Sequence, residues 1–408
     1  MSDVLQRFLR YVAVDTQSEP DAECFPSTEK QKDLGRMLVK EMRDMGILDA
    51  AMDQNGYVTG TIPSNCPGAK TVLGFIAHMD TSPDITGAGV RPRIVRGYDG
   101  GDILLNEEKN IVLSPAMFPS LKRYEGKDLV VTDGTTLLGG DDKAGIAEIL
   151  TMAQTLLNRP EIPHGTVKIA FTPDEEVGRG ADLFDVKAFG ADVAYTVDGG
   201  ESAELEYENF NAASAKVKIN GLNIHPGSAK GKMKNSLEIA MEFHGMLPVF
   251  EKPQNTEGYE GFSHLNDMSG TVEHTGMEYI IRDHDRGLFE KRKRRFEKTA
   301  AYLNEKYGEG TVELTLTDSY YNMKDQIEPH FYLIETARRA MEEAGVQAVS
   351  KPVRGGTDGA RLSYMGLPCP NLGTGGHNCH GRFEYVCVQS MEKTVEILIR
   401  IARAFSAR

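Results

Sequence analysis

Three short runs of almost unbroken apolar residues, "TVLGFIAH" (71–78), "TVKIAF" (166–171) and "DVAYTV" (192–197), constrain this chain more than any other feature. A strand with one wet face alternates apolar and polar residues, whereas a strand without alternation is covered on both sides. Between the first two runs lies "AGIAEILTMAQTLL" (144–157), which has the length and composition of a helix. Strands of this kind separated by helices predict an α/β sheet with helices on both faces. Ligands of such sheets collect where loops leave the strand ends, so chemistry is to be sought there.

The first residues, "MSDVLQRFLRYVAVDTQ", place Leu5, Phe8, Leu9 and Val12 on one face of an amphipathic helix and are interrupted by Asp3, Arg7 and Arg10. This is not the pattern of a signal peptide, and no run of about 18 apolar residues follows anywhere. A second helix is expected from the capping-box pair Thr28 and Gln31, through Leu34, Met37, Leu38, Met42 and Met45, to a stop at Gly46.

With 408 residues the chain supports two domains rather than one. The order of elements over 209–321 reads β-α-β-β-α-β, a split βαβ pattern. The expectation is an inserted α+β, ferredoxin-like domain over 209–321, with 1–208 and 322–408 forming the α/β domain. The formal charge of −14 argues against nucleic acid or an anionic membrane as a partner, because both reward a basic face. The basic run Lys291 to Arg295 shares its segment with Phe289, Phe296, Ala300 and Leu303 at helical spacing, so it reads as a solvated helix face. Five scattered cysteines (Cys24, Cys66, Cys369, Cys379, Cys387) form no disulfide framework and no CxxC pair, which fits a reducing cytoplasm.

Four candidate sites fall at expected strand ends. "AHMD" puts His78 and Asp80 on one side of an extended chain, where they are either an incidental loop pair or a metal ligand with the carboxylate that orients it. "LLGGDDKAG" opens a helix with two acids, which suits capping as well as binding. "FTPDEEVG" sets three carboxylates side by side, as a solvated acidic turn or around a cation. Asp198 in "YTVDGG" is a turn residue or a ligand. Near the end, "TGGHNCHG" adds His377 and His380; with Cys379 these offer three donors on one loop, without the second cluster a structural zinc site needs. Together the four sites and the C-terminal histidine loop fit one dinuclear centre. Two zinc ions, three carboxylates and two neutral imidazoles leave one positive charge, which a bridging hydroxide would balance while serving as nucleophile. One further carboxylate, near the ions but not bound to them, is then needed to move the proton.

The motifs "FIAHMDTSPD", "LLGGDDKAGIAEI", "AFTPDEEVGRGA", "YTVDGG", "NIHPGSAKG", "RGGTDGARLS" and "CPNLGTGGHNCHG" resemble, in order, those of the dizinc aminopeptidase and carboxypeptidase family that includes carboxypeptidase G. The resemblance spans essentially the whole chain and is closest to the tripeptide aminopeptidases of that family. It implies His78 as a ligand of one zinc oriented by Asp80, Asp141 as the bridging carboxylate, Asp198 as the remaining ligand of the first ion, and Glu176 and His380 as ligands of the second. It implies Glu175 as general base and a cis peptide bond between Asp141 and Asp142. The inserted domain would be a lid and homodimer interface, with His225 reaching a partner subunit's site to polarise the scissile carbonyl. Arg282, with Arg354 as runner-up, would bind the substrate carboxylate through a guanidinium fork. Asp174 is left to a turn or supporting role. His377 stands where the resemblance leads one to expect an aromatic residue such as tyrosine.

The expected activity is hydrolysis of the N-terminal peptide bond of tripeptides in the cytoplasm, with neither nucleic acid nor membrane as partner. A dipeptidase, carboxypeptidase or N-deacylase using the same two zinc ions is the alternative. A protein that kept the fold only to bind would lack a ligand or the base, and all are present.

Overall fold

The computed structural model describes residues 1–408. Its chain divides into two compact units: Met1–Tyr207 with Asp325–Ser350 and Thr357–Arg408, and Glu208–Lys324 with Lys351–Gly356.

The three apolar runs become adjacent strands at the centre of a seven-stranded sheet in the first unit. Leu73–His78 lies between Val167–Thr172 and Val193–Val197 and is parallel to both. Each of the three has little or no water on either face, as unbroken apolar runs require. Asn371–Leu372 extends the parallel set beside Val193–Val197, while Val58–Ile62 and Leu205–Glu206 join it antiparallel. The register pairs His78 with Thr172 and Ile76 with Thr196, so the three central strands end at nearly one level. The residues that follow them, Asp80, Glu175, Glu176 and Asp198, therefore leave the sheet together.

The helix Gly140–Asn158 buries Ile146, Ile149, Leu150, Met152, Ala153 and Leu156 on several sides, the pattern of a core helix. It packs against the strand Leu73–His78 and against the helices Asp3–Tyr11 and Val388–Ala404. Gly145 is required here, because a Cβ at that position would lie 1.9 Å from the carbonyl oxygen of Val197. Its absence lets the helix sit directly on the strand end that precedes Asp198. A second, antiparallel sheet runs in the order Gly376–His377, Tyr385–Cys387, Leu129–Val131, Arg93–Val95.

The second unit has the β-α-β-β-α-β order read from the sequence. Its four antiparallel strands run Phe262–Gly270, His274–Asp283, Asn211–Asn220, Val312–Tyr320. The helices Ser236–Gly245 and Arg286–Tyr307 pack Phe243, Phe289, Phe296 and Leu303 onto Val217, Ile219, Met277 and Ile281. The basic run is on a partly wet helix face but is not idle. Arg292 pairs with Glu251 and Asp283, Arg295 with Glu251, and Lys293 with Asp318.

Two expectations need correction. Residues 351–356, read as part of the α/β domain, belong to the second unit. Val353 N–H donates to the Glu208 carbonyl, and the Arg354 guanidinium caps the carbonyls of Thr256, Gly258 and Glu260. The capping box is not formed either: the helix is Gln31–Asp44, its N-cap is Lys30, and no side chain caps it. Thr28 Oγ1 instead donates to the Gln17 carbonyl, and the buried Gln31 amide is drawn to Asp174. No helix is long and apolar enough to cross a membrane.

Candidate metal centre

Six side chains from five loops of the first unit converge at the ends of the central strands. His78 Nε2 lies 2.9 Å from Asp141 Oδ1 and 3.4 Å from Asp198 Oδ1. His380 Nε2 lies 2.8 Å from Glu176 Oε2 and 3.4 Å from Asp141 Oδ2. Asp141 thus touches both histidines, one through each oxygen. Glu175 shares a compact set of donor atoms with His78 and Asp198, as Glu176 does with His78 and Asp141.

Asp80 lies against the imidazole, as an orienting residue would, and makes further contacts. The nearest atom to His78 Nδ1 is the Asp80 backbone carbonyl, at 3.1 Å, with the carboxylate at 3.4 Å. The carboxylate is engaged elsewhere, accepting the backbone N–H of Glu175 at 3.0 Å and of Glu176 at 3.1 Å. One fully buried acid therefore meets the imidazole with both its main chain and its carboxylate, and holds the two glutamates with that same carboxylate. Asp142, which follows a cis peptide bond from Asp141, accepts the His78 N–H at 3.1 Å, tying the helix start to the strand end.

The turn ahead of Asp141 shows why its sequence is Gly-Gly. Gly139 has φ of 81°, a left-handed conformation costly for residues with a Cβ. Gly140 has no room for one: a Cβ would meet Val386 Cγ2 at 2.5 Å and Glu384 Oε1 at 3.0 Å. Asp174, also left-handed, is buried where it accepts from Ser27 N and Oγ and from Gln31 Nε2. The middle of the sheet is thereby anchored to the 27–31 segment, and the supporting role left to Asp174 has a definite form.

The donor set suits cations. Burial raises Glu175 well above the usual carboxylate range, with Asp198, Asp358 and Glu176 adding to it and His78 opposing. Burial and Asp141 lift Glu176 to about 8. Burial works against ionisation of Asp141 too, but hydrogen bonds from His380 and His78 hold it well below the usual range. Crowded acids of this kind are relieved by positive charge. Glu176 Oε1 is buried with no hydrogen-bond partner, an acceptor in need of a ligand. Imidazoles and carboxylates together are the donors zinc takes at hydrolytic sites.

His377 is outside this cluster. It is buried, with Nε2 2.6 Å from Tyr124 Oη, and its ring stacks on Tyr385 at 4.7 Å. The other three residues singled out in the sequence belong to the second unit. His225 is exposed and heads the turn Pro226–Ser228, its Nδ1 accepting from Gly227 N. Arg282 is half-buried, lies over the Tyr320 ring and donates to the Ile281 carbonyl. Arg354 is held by carbonyls and by the rings of Phe210 and Phe262, so its Nη groups are already engaged.

Sequence reasoning missed Glu384 and Asp358, and gave Asp142 only as one of the two acids that open the helix. The buried Asp358 accepts from Thr172 Oγ1 at 2.8 Å, below the acidic triplet. Asp358 is quoted within "RGGTDG" and Asp142 within "DDK", but neither spacing marks a support. Glu384 is a single acid before a short strand, and no local pattern distinguishes it.

An α/β sheet that gathers imidazoles and carboxylates at the carboxyl ends of its parallel strands, with one glutamate beside the set, is built for metal-assisted hydrolysis. The chain belongs to peptidase family M20/M25/M40, whose profile matches residues 131–404. It is 59% identical to a protein named Peptidase T from Alkaliphilus oremlandii and 58% identical to one of that name from Halothermothrix orenii, over the full length of each chain. The crystal structure of an aminopeptidase, PepT, from Bacillus cereus has the same fold, with a TM-score of 0.77 at 23% identity, covering 100% of this chain and 98% of that one.

Proposed function

We propose that this peptidase is an aminopeptidase that removes the N-terminal residue of tripeptides, using two zinc ions held in the first unit. The observation that carries the reading is the convergence of His78, Asp141, Glu175, Glu176, Asp198 and His380 in a chain aligned end to end with relatives named Peptidase T. His78 and Asp198 would hold one ion, Glu176 and His380 the other, and Asp141 would lie between them. Zinc at such a site supplies Lewis acidity and lowers the pKa of water.

The remaining work falls to protein groups. Glu175 takes the proton of the attacking water and delivers it to the leaving amine. Asp80 keeps the main chain of Glu175 and Glu176 at a fixed height above the sheet. Arg282 is the candidate for the substrate carboxylate, and His225 for polarising the scissile carbonyl from a partner subunit, with the second unit serving as lid and homodimer surface. A cytoplasmic location is supported by five cysteines that are all free.

The division of labour between adjacent glutamates gives the test. Glu175→Ala is expected to keep about two zinc ions per chain and lose on the order of 10²–10⁴ in kcat. Glu176→Ala is expected to lose metal as well, read by atomic absorption on the dialysed proteins. Equal metal content and equal residual activity in the two variants refute the assignment. Acetylating the substrate's N-terminus should abolish cleavage; a blocked tripeptide cut as fast as a free one makes the enzyme an N-deacylase or carboxypeptidase instead.

A further inference from the structure

We propose that Glu384 is the positioning residue for the bridging carboxylate of Asp141 and so sets the affinity of the centre for its metal ions. The inference rests on the metal-centre reading above. The Glu384 side chain is buried, and its two oxygens collect three backbone amides of the Gly-Gly turn. Oε2 accepts from Leu138 N at 2.7 Å and Gly139 N at 2.9 Å, and Oε1 accepts from Asp141 N at 3.0 Å. Successive amides turned onto one anion form a rigid concavity. The third of them belongs to the residue whose side chain meets both His78 and His380.

The placement of Glu384 makes this more than a helix cap. It immediately precedes the strand Tyr385–Cys387, which pairs with Gly376–His377 on one side and Leu129–Val131 on the other. Its own N–H closes a turn onto the Gly381 carbonyl, one residue beyond His380. One loop therefore delivers a donor to the centre and, four residues later, the carboxylate that holds the opposing donor's main chain. Gly140 completes the fit, since a Cβ there would press on Glu384 and Val386 together. Groups that support ligands from behind in this way affect metal affinity or activity by about 10–100-fold when lost.

Glu384→Gln offers an amide nitrogen where one oxygen now accepts, so one of the two clamped sides must open. Expected is a fall in zinc affinity of about 10–100-fold, read by competition with a chromophoric chelator on the full chain. At zinc concentrations that refill the site, kcat per folded, zinc-loaded chain should remain depressed, whereas loss of stability alone lowers only the folded fraction and leaves kcat per folded chain at the wild-type value. Gly140→Ala attacks the same contact from the opposite side, keeps the carboxylate, and decides the matter if Glu384→Gln does not fold. Folded variants with wild-type zinc affinity and kcat overturn the positioning role while leaving the metal centre standing. A wild-type chain that binds no divalent ion overturns the metal centre, and this inference with it.

Discussion

Asp80 shows how one side chain can carry more contacts than its neighbours in sequence suggest. The spacing to His78 is legible, and it suggests a carboxylate orienting an imidazole. Folding brings two other N–H groups to that carboxylate, those of Glu175 and Glu176, which lie about a hundred residues away and carry no sequence mark of the contact. Asp80→Ala would leave two partly buried donors without their partner, at about 1 kcal/mol each, the low end of the range for a lost buried partner. The expected outcome is a drop of about 2 kcal/mol in unfolding free energy by urea titration, together with loss of turnover. A variant as stable as the wild type would show that water or another group satisfies both amides. The identities of His78, Asp141, Glu176, Asp198 and His380 as candidate donors were legible because each follows an apolar strand or sits in a glycine-rich loop. Glu384 was not, because its role depends on a turn two hundred and forty residues earlier.

At the level of elements, strands and helices were read within a few residues wherever the pattern was strong, as in the helical spacing of Arg286–Tyr307 and the unbroken apolar run of Val167–Thr172. The failed capping box had a competing partner that local pattern cannot reveal, since Gln31 is drawn to Asp174 across the fold. The core helix Gly140–Asn158 holds another surprise: Glu148 is fully buried, and neither carboxylate oxygen has a hydrogen-bond partner. Burial alone raises its pKa well above the ordinary value of 4.5. The folded chain therefore keeps the proton that the unfolded chain gives up above that pH. Stability from this group is intact below about pH 4.5 and is lost progressively as pH rises toward the folded-state value, by up to about 1.4 kcal/mol per pH unit. Glu148→Gln removes that titration while keeping the shape. It should gain stability over the wild type at pH 8 and little at pH 5, measured by denaturant midpoints at both; a difference independent of pH would contradict it.

Across the whole molecule, the chain passes between the two units four times, because 351–356 returns to the second unit after 325–350 has left it. The domain limits read from texture missed this short strap, six residues with no element of their own. Arg354 holds it, with Nη1 on the carbonyls of Gly258 and Glu260 and Nη2 on Thr256, against the rings of Phe210 and Phe262. Arg354→Ala is expected to lower the unfolding free energy by about 2–4 kcal/mol, with zinc stoichiometry unchanged. Unaltered stability with a raised KM would return Arg354 to the substrate role first considered for it. The loop bearing His380 and Glu384 has a consequence of another kind, in the order of synthesis. Chains grow from the N-terminus and domains fold as they emerge, yet the ends of the central strands are separated from this loop by the entire second unit. On the proposed site, a ribosome-bound chain that already carries His78, Asp141, Glu175 and Asp198 would still lack His380 as a donor and Glu384 on its Gly-Gly turn. The last loop to be translated into the site would then be the one that arms it, and nascent chains would pass most of their synthesis unable to cut peptides.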